Sequence, residues 1–435
     1  MANSVGLEQR GLSRRDFLKV SAAGLATAYL TTACGATTSG PVKVVLATGK
    51  DTSGANAKLV ETFNATHKDI QIDYQEMPPS TTEQHDKYAT VFAAKDPSID
   101  VIAADIPWAP EFASAGWLLE LEKLSGYQDI KKEYFEGPLL GTTYKGHVYA
   151  IPWFNNAGVL YYRTDLLAKA GLKPPETYDE LVDTATKLMK PPDLVGFTWQ
   201  GFQYEGLVCD WLEYLWGYGG DYWDASTQKV LVDSPEGVQS IQFMVDMIYK
   251  YKISPESVLT FKETESYNVF QGMQAVFVRG WPSFYATANK DDSKVKGITG
   301  LVPMVHAPGK KPGATLGTWN LAISKASKHP KEAWEVVKYF TTAEAQKTKA
   351  LIGGNPPARK SVYNDPDVTA KYPHFATMST VMNSALPRPV TPAWPQISAD
   401  AIQVNLTAAL TRKITPAEAV KNMKAKTEEI LAKFK

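Results

Sequence analysis

Side chains able to bind a polar ligand follow several predicted strands of this 435-residue sequence. They are Asp51, Asp105, Asn155, Asn156, Trp281, Trp319 and Arg388. A sugar ring has apolar C–H faces and a rim of hydroxyls, so an indole can stack on its face while carboxylates, amides and guanidinium groups bind its hydroxyls. The combination fits carbohydrate binding, although a structural role is the more common one for any single member.

The elements that would position these groups begin with a parallel sheet. Apolar runs at 42–46 and 100–104 predict buried strands, and alternation at 70–74 predicts another, with helical spacing of apolar residues between them. Strand–helix–strand–helix–strand indicates an α/β domain with parallel strands. In such sheets ligand groups gather beyond the carboxyl ends of the strands, where Asp51 and Asp105 stand.

A second α/β region begins after Tyr149. Strands are predicted at 158–162 and 275–278, and helices start at the capping box Thr177-x-x-Glu180 and at Ser234-Pro235. Two more strands are predicted at 298–303 and 316–324, a helix at 330–349, and a C-terminal helix from the capping box at 415–418. We therefore expect an α/β protein whose two lobes face a cleft.

The N-terminal segment has the features of an export signal. The residues SRRDFLK at 13–19 match a twin-arginine signal, and the 14-residue apolar run at 20–33 is too short to span a bilayer. The stretch LTTACG at 30–35 resembles a bacterial lipobox, with Leu30 one position further from Cys34 than usual. We expect a signal peptide at 1–33 and a flexible tether at 34–41, with Cys34 either lipidated or preceded by plain cleavage.

Composition excludes several classes of function. Lys and Arg total 46 and Asp and Glu total 46, so no net field favours nucleic acid. Six His and two Cys lack the spacing of metal ligands, and we predict neither a metal site nor a cofactor. Cys209 lies in an apolar stretch, which predicts a buried structural thiol rather than a nucleophile.

The stretch GVLYYRTDLLAKAGLKPPETYDELVDTATKL resembles the signature of the family 1 extracellular solute-binding proteins of ABC importers. Further blocks follow the family's order over nearly the whole chain after residue 41. They include DVIAADIPWAPEFASAGWLLEL, GMQAVFVRGWPSF and ATLGTWNLAISKASKHPKEAWEVVKYF. Three other stretches, WQGFQYEGLVCD, LGTWNLAIS and PRPVTPAWPQ, are most similar to the trehalose/maltose-binding subgroup.

This resemblance implies the two-lobe, type II fold of periplasmic binding proteins, with a ligand cleft between lobes joined by hinge crossings. It implies a protein that lies outside the cytoplasm, binds a disaccharide or oligosaccharide without catalysing a reaction on it, and delivers it to membrane permease subunits. The lobe boundaries it implies run along the chain in four segments. They are 42–152 for the first lobe, 153–280 for the second, 281–350 for a return to the first, and 351–435 for a helical part mainly with the second.

Four residues carry the implied sugar contacts. Asp105 would bind hydroxyls and Arg388 would bind them in pairs through its guanidinium fork. Trp281 and Trp319 match the stacking indoles of the family. Main-chain N–H groups of Gly317 and Thr318 are implied as further donors, and the resemblance places His85 near the sugar rim.

The sequence departs from the family at other positions. Phe154 and Asn156 stand where relatives carry an aromatic residue and an acid, so the set of hydroxyls that is recognised differs. The loop after the first strand is shorter than in relatives, which carry an acidic residue there that contacts the sugar. Either Asp51 or Ser53 takes the place of that residue.

Two alternatives stay open, one from another class and one within the family. A secreted glycoside hydrolase would need a pair of acids about 5–9 Å apart, which composition does not exclude. A family member that binds a glycerol-phosphate ester would favour basic over acidic groups in the cleft, and Asp105 argues against it.

Overall fold

The structure is a computed structural model that describes residues 40–434 apart from Pro79, Ala225, Ser226 and Gln228. The predicted signal peptide at 1–33 and the predicted lipidation site Cys34 lie outside the described residues. Of the predicted tether at 34–41, only residues 40 and 41 are described. The chain from Val42 onward forms one unit.

Five strands form the first sheet, in the order β2-β1-β3-β13-β6. They are β1 (Val42–Gly49), β2 (Ile70–Met77), β3 (Val101–Asp105), β6 (Ala150–Phe154) and β13 (Trp319–Ile323). The first three strands pair in parallel, as predicted, and β13 runs antiparallel between β3 and β6. All five residues of β3 are buried, as expected for a parallel strand covered on both faces.

The second sheet has four strands, in the order β12-β7-β11-β8. They are β7 (Val159–Arg163), β8 (Val195–Thr198), β11 (Ala275–Gly280) and β12 (Thr299–Val302). Strand β11 pairs in parallel with β8 and antiparallel with β7, which also pairs antiparallel with β12. Two hairpin-like pairs complete the strands, namely β4 (Thr143–Tyr144) with β5 (His147–Val148) and β9 (Trp223–Asp224) with β10 (Lys229–Val230).

Helices surround both sheets, and each sheet with its helices is called a lobe here. The helices packed on the first sheet are Ala55–Thr66, Thr81–Ala93, Trp108–Ser114, Tyr127–Lys131, Glu136–Gly141, Pro330–Phe340 and Ala343–Gly353. Those packed on the second are Thr164–Ala170, Tyr178–Leu188, Glu205–Gly217, Pro235–Tyr249, Glu263–Gln271 and Phe284–Ala288. No helix within the described part of the chain is both long and apolar enough to cross a bilayer.

The C-terminal part is helical and packs chiefly on the second lobe. Its helices are Pro366–Lys371, Phe375–Ser384, Trp394–Gln396, Val404–Leu410 and Pro416–Ala432, with a π-helix at Ile397–Gln403 and a 3₁₀ turn at Lys360–Asn364. Another 3₁₀ turn, Glu256–Thr260, lies earlier in the chain, outside the C-terminal part. Met378 and Phe375 share a core with Tyr161 of β7, and Trp394 shares one with Trp211.

The chain crosses between the sheets at 155–158, after β6, again at 303–318, before β13, and a third time after helix Ala343–Gly353, where it enters the C-terminal part. The boundaries expected from the sequence need two corrections. Residues 153 and 154 belong to β6 and hence to the first lobe. Residues 281–302 do not return to the first lobe, because β12 pairs with β7 and Phe284 packs with Tyr161. A short apolar strand carries no local sign of its partner, so the pattern at 298–324 predicted two strands but not that they join different sheets.

Candidate ligand-binding cleft

Two adjoining cavities of about 540 and 430 Å3 lie between the lobes. The larger, called the Lys349 chamber, is lined by Asp51, Ser53, Phe154, Lys349 and Asn355 among others. The smaller, called the Trp281 chamber, is lined by Asp105, Glu205, Trp281, Gly317 and Arg388 among others. Asn156, Glu263, Thr264 and Trp319 line both, so the chambers form one continuous cleft.

A buried ion pair lines the Trp281 chamber. Arg388 donates from Nη2 to Oδ1 of Asp105 at 2.6 Å and from Nη1 to Oδ2 at 2.9 Å. Asp105 ends β3 of the first lobe, whereas Arg388 follows helix Phe375–Ser384 of the C-terminal part, so this bidentate pair spans the cleft. Burial opposes the charge of Arg388, but the carboxylates of Asp105 and Glu205 outweigh it and raise the pKa of the guanidinium further.

Glu205 holds the second side of Arg388. Its Oε1 accepts hydrogen bonds from Arg388 Nη1 at 2.8 Å and from Trp394 Nε1 at 2.9 Å, and its Oε2 accepts one from the hydroxyl of Ser398. Glu205 is the first residue of helix Glu205–Gly217, where the helix dipole favours a carboxylate. Ser398 belongs to the π-helix, a distortion that is often found at functional sites. The C-terminal part therefore fixes the guanidinium through Glu205.

Trp281 follows β11 and is held on three sides. Its main-chain N–H donates to the hydroxyl of Tyr267 at 2.8 Å, and its indole N–H donates to Glu263 Oε1 at 3.2 Å. The guanidinium of Arg279 lies 4.0 Å from the centre of the indole. A Cβ atom on Gly317 would lie 3.0 Å from the ring, so a larger residue at this position would require the indole to shift by a few tenths of an ångström.

Trp319 opens β13 from the first lobe. It pairs with Asp105 of β3 and with Phe154 of β6, and its ring meets Trp108 edge-on with centres 5.7 Å apart. The side chain is half-buried and lines both chambers. The two lobes therefore each present one indole to the same cleft.

Asn156 lies in the first crossing and lines both chambers. Its side chain is buried, yet its Oδ1 has no hydrogen-bond partner within the described residues. Buried polar atoms without a partner are rare, and one that borders a cavity is a good candidate for a ligand contact. Phe154, two residues earlier, contributes an apolar wall to the Lys349 chamber.

The predicted main-chain donors do not face the cleft as expected. The N–H of Gly317 donates to the carbonyl of Asn156 at 2.9 Å, because the two crossings pair with each other. Thr318 is fully buried, its hydroxyl donates to Asn155 Oδ1 at 3.3 Å, and it lines neither chamber.

The loop after β1 forms one wall of the Lys349 chamber. Asp51 accepts hydrogen bonds from the N–H and hydroxyl of Ser53 at 2.9 and 2.5 Å, and from the N–H of Asn56 at 2.7 Å. Burial would raise the pKa of Asp51, but the charge of Lys349 and these hydrogen bonds lower it. Both candidates for the acidic contact thus border the cleft, with Asp51 engaged chiefly in shaping its own loop.

Lys349 is a buried amine at the base of this chamber. Its Nζ donates to Asn56 Oδ1 at 2.8 Å and lies 4.1 and 4.6 Å from the ring centres of Trp153 and Phe154. Burial lowers the pKa of Lys349 to about 8, although Asp51 favours the charged form. An ammonium has three N–H donors, so the one hydrogen bond to Asn56 leaves capacity for a ligand.

His85 does not line either chamber. It borders a separate pocket of about 330 Å3 that shares Asp105 and Glu205 with the Trp281 chamber. Its Nε2 pairs with Glu111 Oε2 at 2.7 Å, and its ring stacks on Phe112. Burial disfavours the charged imidazole, but hydrogen bonding to Glu111 prevails and raises the pKa of His85.

Comparison with known proteins settles the family. Residues 47–347 match the family of bacterial extracellular solute-binding proteins. A probable ABC transporter-binding protein of Deinococcus radiodurans is 35% identical over 386 residues, which cover 87% of this chain and 89% of the relative. This chain belongs to that family. The two-lobe α/β architecture is accordingly the type II fold that the resemblance implied.

Solved structures of similar proteins contain sugars. Maltose-bound MalE3 of T. maritima is 41% identical, with a TM-score of 0.85 over 89% of this solute-binding protein and 100% of that chain. A solute-binding protein of Thermotoga lettingae bound with alpha-D-tagatose is 26% identical, with a TM-score of 0.80 over 90% of this chain and 100% of that one.

Sequence reasoning missed three residues of the cleft in this solute-binding protein. Glu205 and Glu263 each begin a helix, and Lys349 lies within one. An acid in the first turn of a helix is explained by the helix dipole alone, so neither glutamate drew attention. Lys349 has ordinary helical surroundings in sequence, and Asn56 and Trp153, which it contacts, are far away along the chain.

Two further predictions concern thiol and metal chemistry. Cys209 is buried, and burial raises the pKa of its thiol, as expected for a structural cysteine. Glu120, Glu122 and His147 form a group of possible metal ligands among the described residues. Their atoms are engaged with one another and with the chain, since Glu122 accepts from His147 Nδ1 at 2.7 Å and from the N–H of Val148 at 3.0 Å.

Proposed function

We propose that this solute-binding protein is the carbohydrate-binding component of an ABC importer, and that it holds a disaccharide or short oligosaccharide of the maltose or trehalose type in the cleft. The observation that carries the proposal is the convergence of Asp105, Trp281, Trp319 and Arg388 on one chamber. Indoles from both lobes offer stacking surfaces, and a carboxylate with a guanidinium offers paired hydrogen bonds. The maltose-bound neighbour at 41% identity supports the same ligand class.

Binding without hydrolysis fits the state of the acids in the cleft. A glycoside hydrolase needs one carboxyl group that stays protonated as a general acid. Asp105 and Glu205 both accept hydrogen bonds from the guanidinium of Arg388, so they serve as partners of a cation in the cleft. The similar proteins reported above are named as binding proteins, which supports transport rather than catalysis.

Closure of the two lobes would signal occupancy to the permease. The lobes are joined by crossings at 155–158 and 303–318 and by the chain that follows Gly353, and the ligand would contact both lobes at once. A ligand that binds the closed arrangement more tightly than the open one shifts the population toward closure. The closed surface is then the form that permease subunits would recognise.

Export and anchoring complete the proposal. The twin-arginine motif at 13–19 would direct folded protein across the membrane, and Cys34 would carry a lipid that tethers it there. Mass spectrometry of protein from membranes tests this, since a lipidated Cys34 gives a diacylglyceryl mass on an N-terminal peptide starting at residue 34. Release of the protein in soluble form with an unmodified Cys34 would contradict the anchor.

A thermal-shift panel tests the ligand class. Maltose, trehalose, maltotriose, glucose and glycerol 3-phosphate would be titrated into the purified protein, because a ligand that binds only the native state raises Tm by mass action. We expect at least one di- or trisaccharide to raise Tm and remain chemically unchanged on recovery. A shift with glycerol 3-phosphate alone would favour the phosphate ester, and release of glucose from the sugars would favour a hydrolase.

A further inference from the structure

A buried ion cluster lies under the cleft in the second lobe. Arg279 of β11 donates from Nη2 to Glu213 Oε1 at 2.5 Å and from Nε to Glu213 Oε2 at 3.0 Å. Its Nε is also 3.0 Å from Asp210 Oδ1, and its Nη1 donates to Gln200 Oε1 at 3.2 Å. The three charged side chains are at most 1% exposed. Burying charges this deeply costs free energy, and an apolar set would fill the same volume without that cost.

The cluster supports one face of the candidate stacking residue Trp281. Arg279 and Trp281 are two positions apart at the end of a strand, so their side chains leave on the same side. The guanidinium lies 4.0 Å from the indole centre, well within the range of a cation–π contact. One face of the indole is therefore occupied, and a sugar ring can stack only on the other.

The crossings at 155–158 and 303–318 also contact the cluster. Glu213 Oε1 accepts a hydrogen bond from the N–H of Thr315 in the second crossing at 3.3 Å. A Cβ atom on Gly158 in the first crossing would lie 1.8 Å from Glu213 Oε1 and 2.5 Å from Arg279 Nη2. Gly317 of the second crossing meets the outer ring of Trp281. The cluster thus joins the indole to two of the three segments that link the lobes.

We propose that Arg279 and Glu213 are positioning residues for ligand binding, which set the plane of the Trp281 indole and hold it in register with the crossings at 155–158 and 303–318. The inference rests on the proposed function in taking the ligand to be a carbohydrate. A planar guanidinium is required for this role, because a lysine ammonium in the same place keeps the charge but offers no flat surface to stack on an indole.

A double-mutant cycle between Arg279→Lys and Trp281→Ala tests the inference. We expect Arg279→Lys to weaken binding of the best sugar from the panel at least fivefold in calorimetry, and to change it less than twofold in a Trp281→Ala background. A Trp319→Ala background is the matched control, because Trp319 lines the same chamber from the other lobe, and there the full fivefold loss is expected. Without ligand, the Tm shifts of Arg279→Lys and Trp281→Ala should be non-additive.

Two results would overturn the inference. One is parental affinity in Arg279→Lys, and the other is an equal loss in the Trp281→Ala and Trp319→Ala backgrounds, which would show a merely structural role. Glu213→Gln keeps the shape of the site and serves as the second variant if Arg279→Lys does not fold, with the same expected pattern. If no sugar binds the parent protein, the proposed function fails, while the ligand-free Tm cycle still decides whether Arg279 fixes Trp281.

Discussion

Trp281 and Trp319 reach the same chamber from opposite lobes, so each would cover part of one ligand. Replacing either by alanine removes a stacking face without emptying a lobe core, since both side chains are half-buried. We expect each variant to bind sugar at least about tenfold more weakly, or about 1.4 kcal/mol, with a parental fold by circular dichroism. Trp216→Ala is the control, because this half-buried indole lines neither chamber. Parental affinity in both variants would refute the site.

Lys349 predicts a conflict between stability and ligand binding. Its pKa falls from an ordinary value of 10.5 to about 8 in the folded protein. Burying the charged amine lowers the free energy of unfolding. This cost is fully present below pH 8, where the amine is charged in the folded and unfolded states. It disappears as the pH rises from 8 to 10.5, because the unfolded chain then binds more protons than the folded one. Lys349→Met should therefore stabilise the ligand-free protein at pH 7 by about 2 kcal/mol. At about 1.4 kcal/mol per pKa unit the shift alone corresponds to a larger gain, and the lost contacts with the rings offset part of it.

Urea unfolding at pH 7 and pH 10 measures this effect, which should shrink at the higher pH. The same variant should bind sugar more weakly, because the chamber loses its ammonium donor. Lys347→Met is the matched control in the same helix, since that amine pairs at the surface with Asp365 and Asp367 and its removal should not raise stability. Destabilisation by Lys349→Met at pH 7 would contradict the argument.

Single residues were predictable where a strand end places them. Asp105 was found because a buried run ends there, but its pairing with Arg388 was not predictable, since the two are 283 positions apart. The ligand-binding roles of both stay predictions. Glu205 was not predictable, because its partners Arg388, Trp394 and Ser398 come from a distant part of the chain. Local sequence describes the element that carries a side chain but not what packs against it.

Helix starts were the most predictable elements. The capping boxes at Thr177 and Thr415 are confirmed, with each threonine accepting from the N–H three residues on and each glutamate accepting from the threonine N–H. These motifs act within four residues, so no distant contact is needed to form them. In contrast, the sheets that β12 and β13 join are decided by contacts distant in sequence. The expected return of 281–350 to the first lobe was therefore wrong for β12, which pairs with β7 of the second sheet. The π-helix at Ile397–Gln403 had no sign in the sequence.

The cap of the last long helix gives a test at this scale. Thr415→Ala removes the acceptor for the N–H of Glu418 at the start of helix Pro416–Ala432. We expect the free energy of unfolding in urea to fall by about 1 kcal/mol with unchanged sugar affinity, because neither residue lines a chamber. Thr415→Ser keeps the hydroxyl and should restore most of the loss. Equal losses in both variants would mean that the cap is not the cause.

For the whole molecule, the Asp105–Arg388 pair is a direct polar link across the cleft. Asp105→Asn should loosen it while Arg388 keeps Glu205, so we expect the ligand-free lobes to open and the radius of gyration in small-angle scattering to increase. The loss of stability should stay below the roughly 3–5 kcal/mol seen when a buried charge has no partner left. Asp100→Asn is the control, because this buried acid bonds to Val45 and Ser327 within the first lobe. An unchanged radius in Asp105→Asn would show that the pair does not restrain the lobes.

The position of β13 has a consequence for how the protein is made. Strand β3 is left with an open edge until residues 319–323 arrive to fill the space beside β6, and the entire second sheet is synthesised in between. At 5–20 residues per second the ribosome needs about 10–40 s for that interval, during which an unpaired strand edge can associate with other chains. Nascent chains should therefore depend on chaperones over this interval, and a fragment ending at residue 154 should aggregate unless the missing strand is supplied from elsewhere.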